Sequence, residues 1–277
     1  MPAVRTVTFP SGAAVPALGQ GTWRLGDDPA RRADELAALR RGVDLGMTLI
    51  DTAEMYGNGS AEELVGEAIR GRRDEVFLVS KVLPSNADAR KTVAACRSSL
   101  RRLGTDRIDL YLLHWRGAVP LAETVEALEA LVADGSVGAW GVSNFDVDDL
   151  ADLPEGAGLQ TDQVLYNLTR RGPEYSLLPR CGELAIPVMA YSPVEQGRLL
   201  GHEALRDVAA AHGRTPAQVA LAWVLRRDDV IAIPKASTVA HVEDNRAALD
   251  LHLTDEDLRT LDAAFPPPTR KQPLDVL

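Results

Sequence analysis

The side chains that could do chemistry begin with Asp51 and Tyr56, five positions apart within residues 46–59. Residues 47–50 form a short, mostly apolar run that ends abruptly in Asp51, the pattern of a buried strand delivering a carboxylate to its C-terminal rim. Tyr56 follows in a segment punctuated by Gly57, Asn58 and Gly59, which reads as a loop. A carboxylate at a strand end with a phenol in the loop above it points to proton transfer. Two further apolar runs end in Lys81 and His114. Each residue alone has an ordinary reading: a strand-end Asp caps a helix, a Lys is solvated, a His beside Trp115 is a core ring. Asp, Lys and His at three consecutive strand ends, with a Tyr beside the first, are harder to dismiss. No His, Cys or carboxylate stands at ligand spacing around His114, so a zinc site is not indicated.

Elements that would position these residues alternate along the chain. Strand-like runs cover 18–23, 48–51, 76–81, 108–114, 137–143, 160–166, 187–192 and 230–234. Helical patterns lie between and after them at 31–45, 61–70, 87–103, 121–134, 147–153, 173–184, 205–212 with 216–226, 239–249 and 255–264. Alternation with short connections forces parallel neighbours, and eight such units in 277 residues suit a closed (β/α)8 TIM barrel of the α/β class. The runs 5–9 and 13–18, joined through Pro10-Ser11-Gly12, predict an N-terminal β-hairpin that plugs one end. Beyond the last helix, the prolines at 266–268 begin a short C-terminal tail. An open doubly wound sheet is the runner-up. Its fingerprint is incomplete here, because Gly19-x-Gly21 has no third glycine at the required spacing and no helix starts at once. With no repeat or linker, residues 1–277 read as one domain.

A formal net charge of −10 argues against nucleic acid or an anionic membrane as partner and leaves a small molecule. Cys96 and Cys181 are too few for a disulfide framework, and no apolar run approaches a membrane span. The opening residues lack the apolar core of a signal peptide, so the cytoplasm is the expected location.

The polar residues at the remaining strand ends complete a pattern. Gly21-Thr22-Trp23, Asp51-Thr52-Ala53 with Tyr56, Ser80-Lys81, Leu112-Leu113-His114-Trp115, Gly141-Val142-Ser143-Asn144-Phe145, Gln163 with Tyr166-Asn167, Ala190-Tyr191-Ser192-Pro193, and Ile233-Pro234-Lys235 with Asn245 occur in one order over nearly the whole chain. In these motifs the chain resembles the aldo-keto reductases, above all the compact bacterial members that reduce small reactive aldehydes such as methylglyoxal. The resemblance implies a barrel that binds NADPH or NADP+ without a Rossmann domain and reduces a carbonyl compound, as a monomer.

It also implies roles. Tyr56 would protonate the carbonyl oxygen, Lys81 would make its anion less costly, Asp51 would anchor Lys81, and His114 would hydrogen-bond and orient the substrate. Ser143, Asn144 and Gln163 match positions that hold the nicotinamide carboxamide, and Tyr191 the ring on which nicotinamide stacks. Ser192, Pro193 and Gly197 would follow the pyrophosphate. Lys235, Ala236, Ser237, Thr238, His241, Asp244 and Asn245 match the stretch around the adenosine 2′-phosphate, and Gly21, Thr22, Trp23 and Asp51 border the cofactor. Trp23 and Trp115 match pocket walls.

Four departures accompany the match, one of them Ala236 in place of a common serine. The loop after Tyr56 is slightly longer than usual. His241 stands where many members have an arginine, so the expected NADPH preference is milder than theirs. Large members also carry a long C-terminal loop over the pocket, whereas this chain ends soon after Pro268, so their substrate selectivity is not expected to transfer. Two other readings of the fold remain: a binding subunit without activity, and a Schiff-base aldolase with Lys81 as nucleophile. The aldolase leaves Tyr191 and the Lys235 stretch unexplained.

Overall fold

Apolar runs of three to seven residues form β4 (Leu49–Asp51), β5 (Phe77–Val82), β6 (Ile108–Leu113), β7 (Val137–Ser143), β8 (Leu159–Leu165), β9 (Val188–Tyr191) and β10 (Val230–Ala232). Before them come β1 (Thr6–Thr8), β2 (Ala14–Pro16) and β3 (Gln20–Gly21). The computed structural model describes residues 4–277; residues 1–3, the start of the stretch read for a leader, lie outside the described residues. From β3 to β10 the strands lie side by side in chain order as one parallel eight-stranded sheet. The sheet closes on itself. Isolated parallel bridges join Leu18 to Ala232 and Gly21 to Lys235. Along this seam Gly19 N donates to Ala232 O at 2.8 Å, Ala232 N to Ala17 O at 2.8 Å, and Gly21 N to Pro234 O at 3.0 Å. A side chain at Gly21 would meet Ile233 O at 2.7 Å, so the close approach requires glycine there.

Helices α1 (Arg32–Asp44), α2 (Ser60–Ala68), α3 (Ala89–Leu103), α4 (Leu121–Ala133), α5 (Val147–Ala151), α6 (Leu177–Glu183), α7 (Glu203–Ala211), α8 (Pro216–Leu225) and α9 (Val239–Ala247) surround the barrel, and α10 (Asp255–Ala264) follows. Their ends are written in the sequence: capping boxes pair Thr215 with Gln218 on α8 and Thr254 with Asp257 on α10. None of the helices among the described residues is long and apolar enough to cross a membrane.

The hairpin β1–β2 is antiparallel and covers the N-terminal end of the barrel. Phe9 stacks on Phe77 with ring centroids 5.6 Å apart, and Ser11 N donates to Gln160 Oε1 at 2.8 Å. Several expected boundaries shift. The runs 18–23 and 230–234 shorten to Gln20–Gly21 and Val230–Ala232, because the seam is made of single bridges and Pro234 has no N–H for a ladder. The loop after Asp51 contains a 3-10 turn at Tyr56–Gly59. The expected helix 173–184 divides into a 3-10 turn (Gly172–Glu174) and α6. The tail after α10 forms no helix or strand, as expected. It runs over the C-terminal ends of the strands: Lys271 lies 3.4 Å from both Asp146 and Asp148, and Asp275 lies 3.5 Å from Arg170.

Candidate active site

Strand alternation decides which side chains enter the barrel. On β5, Ser80 turns outward and donates to Glu62 Oε1 of α2 at 2.6 Å, which sends Lys81 inward, where it is wholly buried. Its Nζ donates to Asp51 Oδ2 at 2.8 Å, to Thr52 O at 2.8 Å and to the Tyr56 hydroxyl at 3.2 Å. An ammonium has three N–H donors, and these contacts use them all. The second Asp51 oxygen accepts from Gln163 Nε2 at 2.8 Å, so Gln163 joins the same network from β8. Tyr56 is aimed by its 3-10 turn, in which Gly57 and Asn58 have φ of 54° and 52°. A side chain at Gly57 would strike the Ser60 hydroxyl and Asp27, so glycine is needed to bend the chain here. The Tyr56 ring lies with its centroid 4.9 Å from Lys81 Nζ and edge-on to His114 at 5.8 Å.

The charges are set by burial. Desolvation raises the Tyr56 pKa well above 10, and the Asp51 carboxylate raises it further. Asp51 offsets part of the lysine's charge, so the phenol keeps its proton at neutral pH. Burial likewise lowers the Lys81 pKa, against the pull of Asp51 and Glu62. His114 is pushed down to about 2, by burial first and by the Lys81 charge second, so its imidazole is neutral. Its Nδ1 is a buried polar atom with no hydrogen-bond partner among the described residues. A neutral imidazole carries one N–H to donate, so beside a protonated phenol it can hold a carbonyl oxygen that the phenol protonates. A Schiff-base role for Lys81 fits poorly, because its nitrogen is buried and its donors are committed.

Around this core the rim is aromatic. Trp23 and Trp115 are 38% and 39% exposed, with Arg24 stacked on Trp23 at 4.4 Å and His114 against Trp115 at 5.0 Å. Thr22 Oγ1 donates to Asp51 O at 2.9 Å. Asn144 has φ 59° and donates from Nδ2 to His114 O at 3.0 Å and to Ser143 Oγ at 3.1 Å, while its Oδ1 accepts from the Tyr191 hydroxyl at 2.9 Å. Ser143 Oγ donates to Gln163 O at 2.8 Å. Ser143, Asn144, Gln163 and Tyr191 thus form one connected set beside the Asp51–Lys81–Tyr56–His114 cluster.

The loop after β9 is strained: Ser192, Glu195 and Gln196 take φ of 46°, 48° and 55°, and Gly197 takes 86°. Asn167 pins it, donating from Nδ2 to Ser192 O at 2.9 Å and to Glu195 Oε2 at 2.8 Å. Pro193 is buried beneath this loop. Past the seam, Lys235 is exposed, Ala236 packs on the core, and Ser237 and Asn245 are buried. Thr238 caps α9 by accepting from His241 N. His241 itself is exposed. Asp244 turns to the start of α8, where Gln218 Nε2 donates to it at 2.8 Å and Thr215 Oγ1 at 3.1 Å, so both its oxygens are engaged.

Two features escaped the sequence reading. Glu195 of the strained loop is held charged, since Asn167, Arg170 and Arg198 outweigh the cost of its burial. Asn167 stood in a quoted motif and gave a signal; Glu195 gave none. Arg31 was read only as the start of a helix, yet its Nη2 donates to Ser237 Oγ at 2.6 Å, 206 residues away. The residues fit a phosphorylated nicotinamide dinucleotide: a neutral imidazole and a protonated phenol lie at one end, and Lys235 with Arg31 at the other.

Comparison with known proteins agrees with this geometry. Residues 17–265 match the Aldo/keto reductase family. The chain is 50% identical to methylglyoxal reductase YeaE of Escherichia coli (strain K12) over 99% of each chain, and 34% identical to glyoxal reductase of Bacillus subtilis (strain 168) over 93% of this chain and 92% of that one. An aldo-keto reductase from Klebsiella pneumoniae, solved in complex with NADPH, superposes with a TM-score of 0.97 at 52% identity over the full length of both. A Klebsiella pneumoniae structure with NADP and acetate gives 0.96 at 53% identity, over 99% of this chain and all of that one. With these similarities spanning the barrel and its rim, the chain belongs to the aldo/keto reductase family.

Proposed function

We propose that the protein is an NADPH-dependent reductase of small reactive aldehydes and dicarbonyls, with methylglyoxal as the first substrate to test. The observation that carries the reading is the Lys81 ammonium, whose three donors are shared among Asp51, Thr52 and Tyr56. Because the Tyr56 oxygen accepts from Lys81, its own proton is free to point into the pocket. The raised pKa keeps that proton in place at neutral pH, the state a reduction needs.

When bound, the reduced nicotinamide supplies the hydride that reaches the carbonyl carbon. This chain's residues do the rest. His114, neutral, holds the carbonyl oxygen and orients it, and Tyr56 releases its proton as charge develops there. The phenolate left behind faces the Lys81 ammonium at 3.2 Å, so the hydrogen bond already in place then joins two opposite charges. Aldehyde, NADPH and one proton become alcohol and NADP+. Ser143, Asn144, Gln163 and Tyr191 would hold the nicotinamide, Ser192 to Gly197 the pyrophosphate, and Lys235 to Asn245 the adenosine end. Trp23 and Trp115 would wall the substrate pocket. All eight strands of one closed sheet contribute to this arrangement, which supports residues 1–277 as one functional domain.

The test is loss of reduced-nicotinamide absorbance with methylglyoxal, glyoxal and short aldehydes, using NADPH and NADH in turn. Turnover with NADPH and at least one dicarbonyl is expected. No turnover with any substrate and either cofactor would defeat the proposal.

A further inference from the structure

The adenosine end of the site holds a cation from the opposite end of the sequence. Arg31 closes the 3-10 turn Pro29–Arg31 on the loop that leaves β3 and leads into α1. It reaches across the seam to Ser237, which is buried, and donates to its hydroxyl at 2.6 Å. A second observation places the same group beside Lys235. That lysine's pKa is lowered by desolvation first, then by the charges of Arg31 and Arg24, against Glu35 and Asp27. Three cations therefore gather at one edge of a chain whose formal net charge is −10. Glu35, nearly inaccessible, lies 4.0 Å from the Arg31 Nε and accepts from Gly26 N at 2.9 Å. It fixes the guanidinium on one side while being partly occupied by the loop backbone.

We propose that Arg31 binds the 2′-phosphate of NADPH, in the place of the arginine that His241 does not supply. The inference rests on the NADPH reading above. A serine oxygen that accepts from a guanidinium keeps its own proton free to donate, so Arg31 and Ser237 offer donors of fixed direction next to the Lys235 charge. A phosphate dianion suits that set, because the planar guanidinium pairs with its oxygens and the lysine adds a point charge. A ribose hydroxyl can use few of these donors and leaves the cations unneutralised. The preference for NADPH is thus built by two segments 206 residues apart, and the bound phosphate ties them together.

Fluorescence-quenching titrations test this on wild type, Arg31→Ala, Arg31→Lys and His241→Arg, with NADPH and NADH, and with 2′,5′-ADP and 5′-AMP as nicotinamide-free competitors. Arg31→Ala is expected to weaken NADPH and 2′,5′-ADP by about tenfold or more, while NADH and 5′-AMP stay within about twofold. Arg31→Lys should recover part of the loss. With the phosphate already gripped, His241→Arg should tighten NADPH by less than about threefold. Nucleotide-free thermal midpoints verify folding, and Arg31→Lys carries the comparison should the alanine variant unfold. Equal losses for NADPH and NADH would make Arg31 a loop brace and overturn the proposal, as would an unchanged NADPH affinity. Wild type binding neither dinucleotide would instead defeat the reductase reading on which the proposal rests.

Discussion

The two ends of the barrel handle charge in opposite ways. At the N-terminal end, Arg73 donates to Thr105 Oγ1, Val76 O, Arg107 O and Asp109 Oδ2 at 2.7 to 3.1 Å, and Arg107 meets the exposed Asp74 at 2.6 Å. Four of the five Arg73 N–H groups have acceptors, and water reaches the outer pairs. At the C-terminal end, Asp51 and Lys81 pair at 2.8 Å with side chains 3% and 0% exposed, and beside them His114 Nδ1 has no partner among the described residues. One end is satisfied within the fold; the other retains bonding capacity in a dry place. Barrel enzymes divide stability and chemistry between these two faces. A satisfied network resists change, whereas an unsatisfied one can bind.

The sharpest way to break this contrast is Tyr56→Phe, which keeps the ring and removes the proton. Turnover should fall by about 10²-fold to 10⁴-fold with NADPH affinity nearly unchanged, as steady-state kinetics and cofactor titration would report. Turnover close to wild type would mean that the proton comes from elsewhere. Lys81→Met should harm turnover comparably, and it also strands Asp51 as a buried, unpaired carboxylate. That costs roughly 3–5 kcal/mol of stability, readable by urea unfolding. Were this variant to melt like wild type, the buried pair would be no different from an outer one.

Acid offers a subtler probe. His114 has its folded pKa depressed from 6.5 to about 2, so the unfolded chain takes up a proton below pH 6.5 that the native chain refuses until about pH 2. Its share of stability is intact above pH 6.5 and declines on acidification through that window. The slope approaches about 1.4 kcal/mol per pH unit for this one group. His114→Asn should flatten the urea-derived stability profile between pH 6 and pH 4, about one proton's worth, and parallel profiles would show that the ring titrates normally. At the other end, Arg73→Ala is expected to cost roughly 1–3 kcal/mol of stability and leave kcat/KM within about twofold. A large loss of kcat/KM from that substitution would erase the division between the faces.

Much of the C-terminal face was legible in the chain. Asp51, Lys81 and His114 announce themselves because an apolar strand that ends in a charged or titratable residue has only one rim to deliver it to, and strand periodicity fixes Lys81 inward once Ser80 faces α2. The hairpin plug followed from turn composition, and the tryptophans from their motifs. What was hidden depends on closure in three dimensions. Arg31 and Ser237 share no local pattern, and they meet only because β3 and β10 do. The tail's course over the strand ends rests on single ion pairs to Asp146, Asp148 and Arg170, which no periodicity encodes. The raised pKa of Tyr56 was hidden for a related reason: its burial and the nearness of Asp51 exist only in the folded barrel.

The seam between β3 and β10 has a consequence for how the molecule comes into being. Asp51, Tyr56, Lys81 and His114 all emerge in the first half of synthesis, but the sheet that encloses them cannot close until Val230–Ala232 has left the ribosome. Joining ends so far apart adds little to the equilibrium cost, since loop entropy grows only with the logarithm of length, yet such distant pairings form slowly. A growing chain therefore carries its buried ion pair for some time beside two open strand edges, a state prone to aggregation. Because Arg31 and Lys235 flank that same seam, a nucleotide that grips both acts as a clasp on the step that finishes the barrel, and its presence during refolding should raise the yield of native protein.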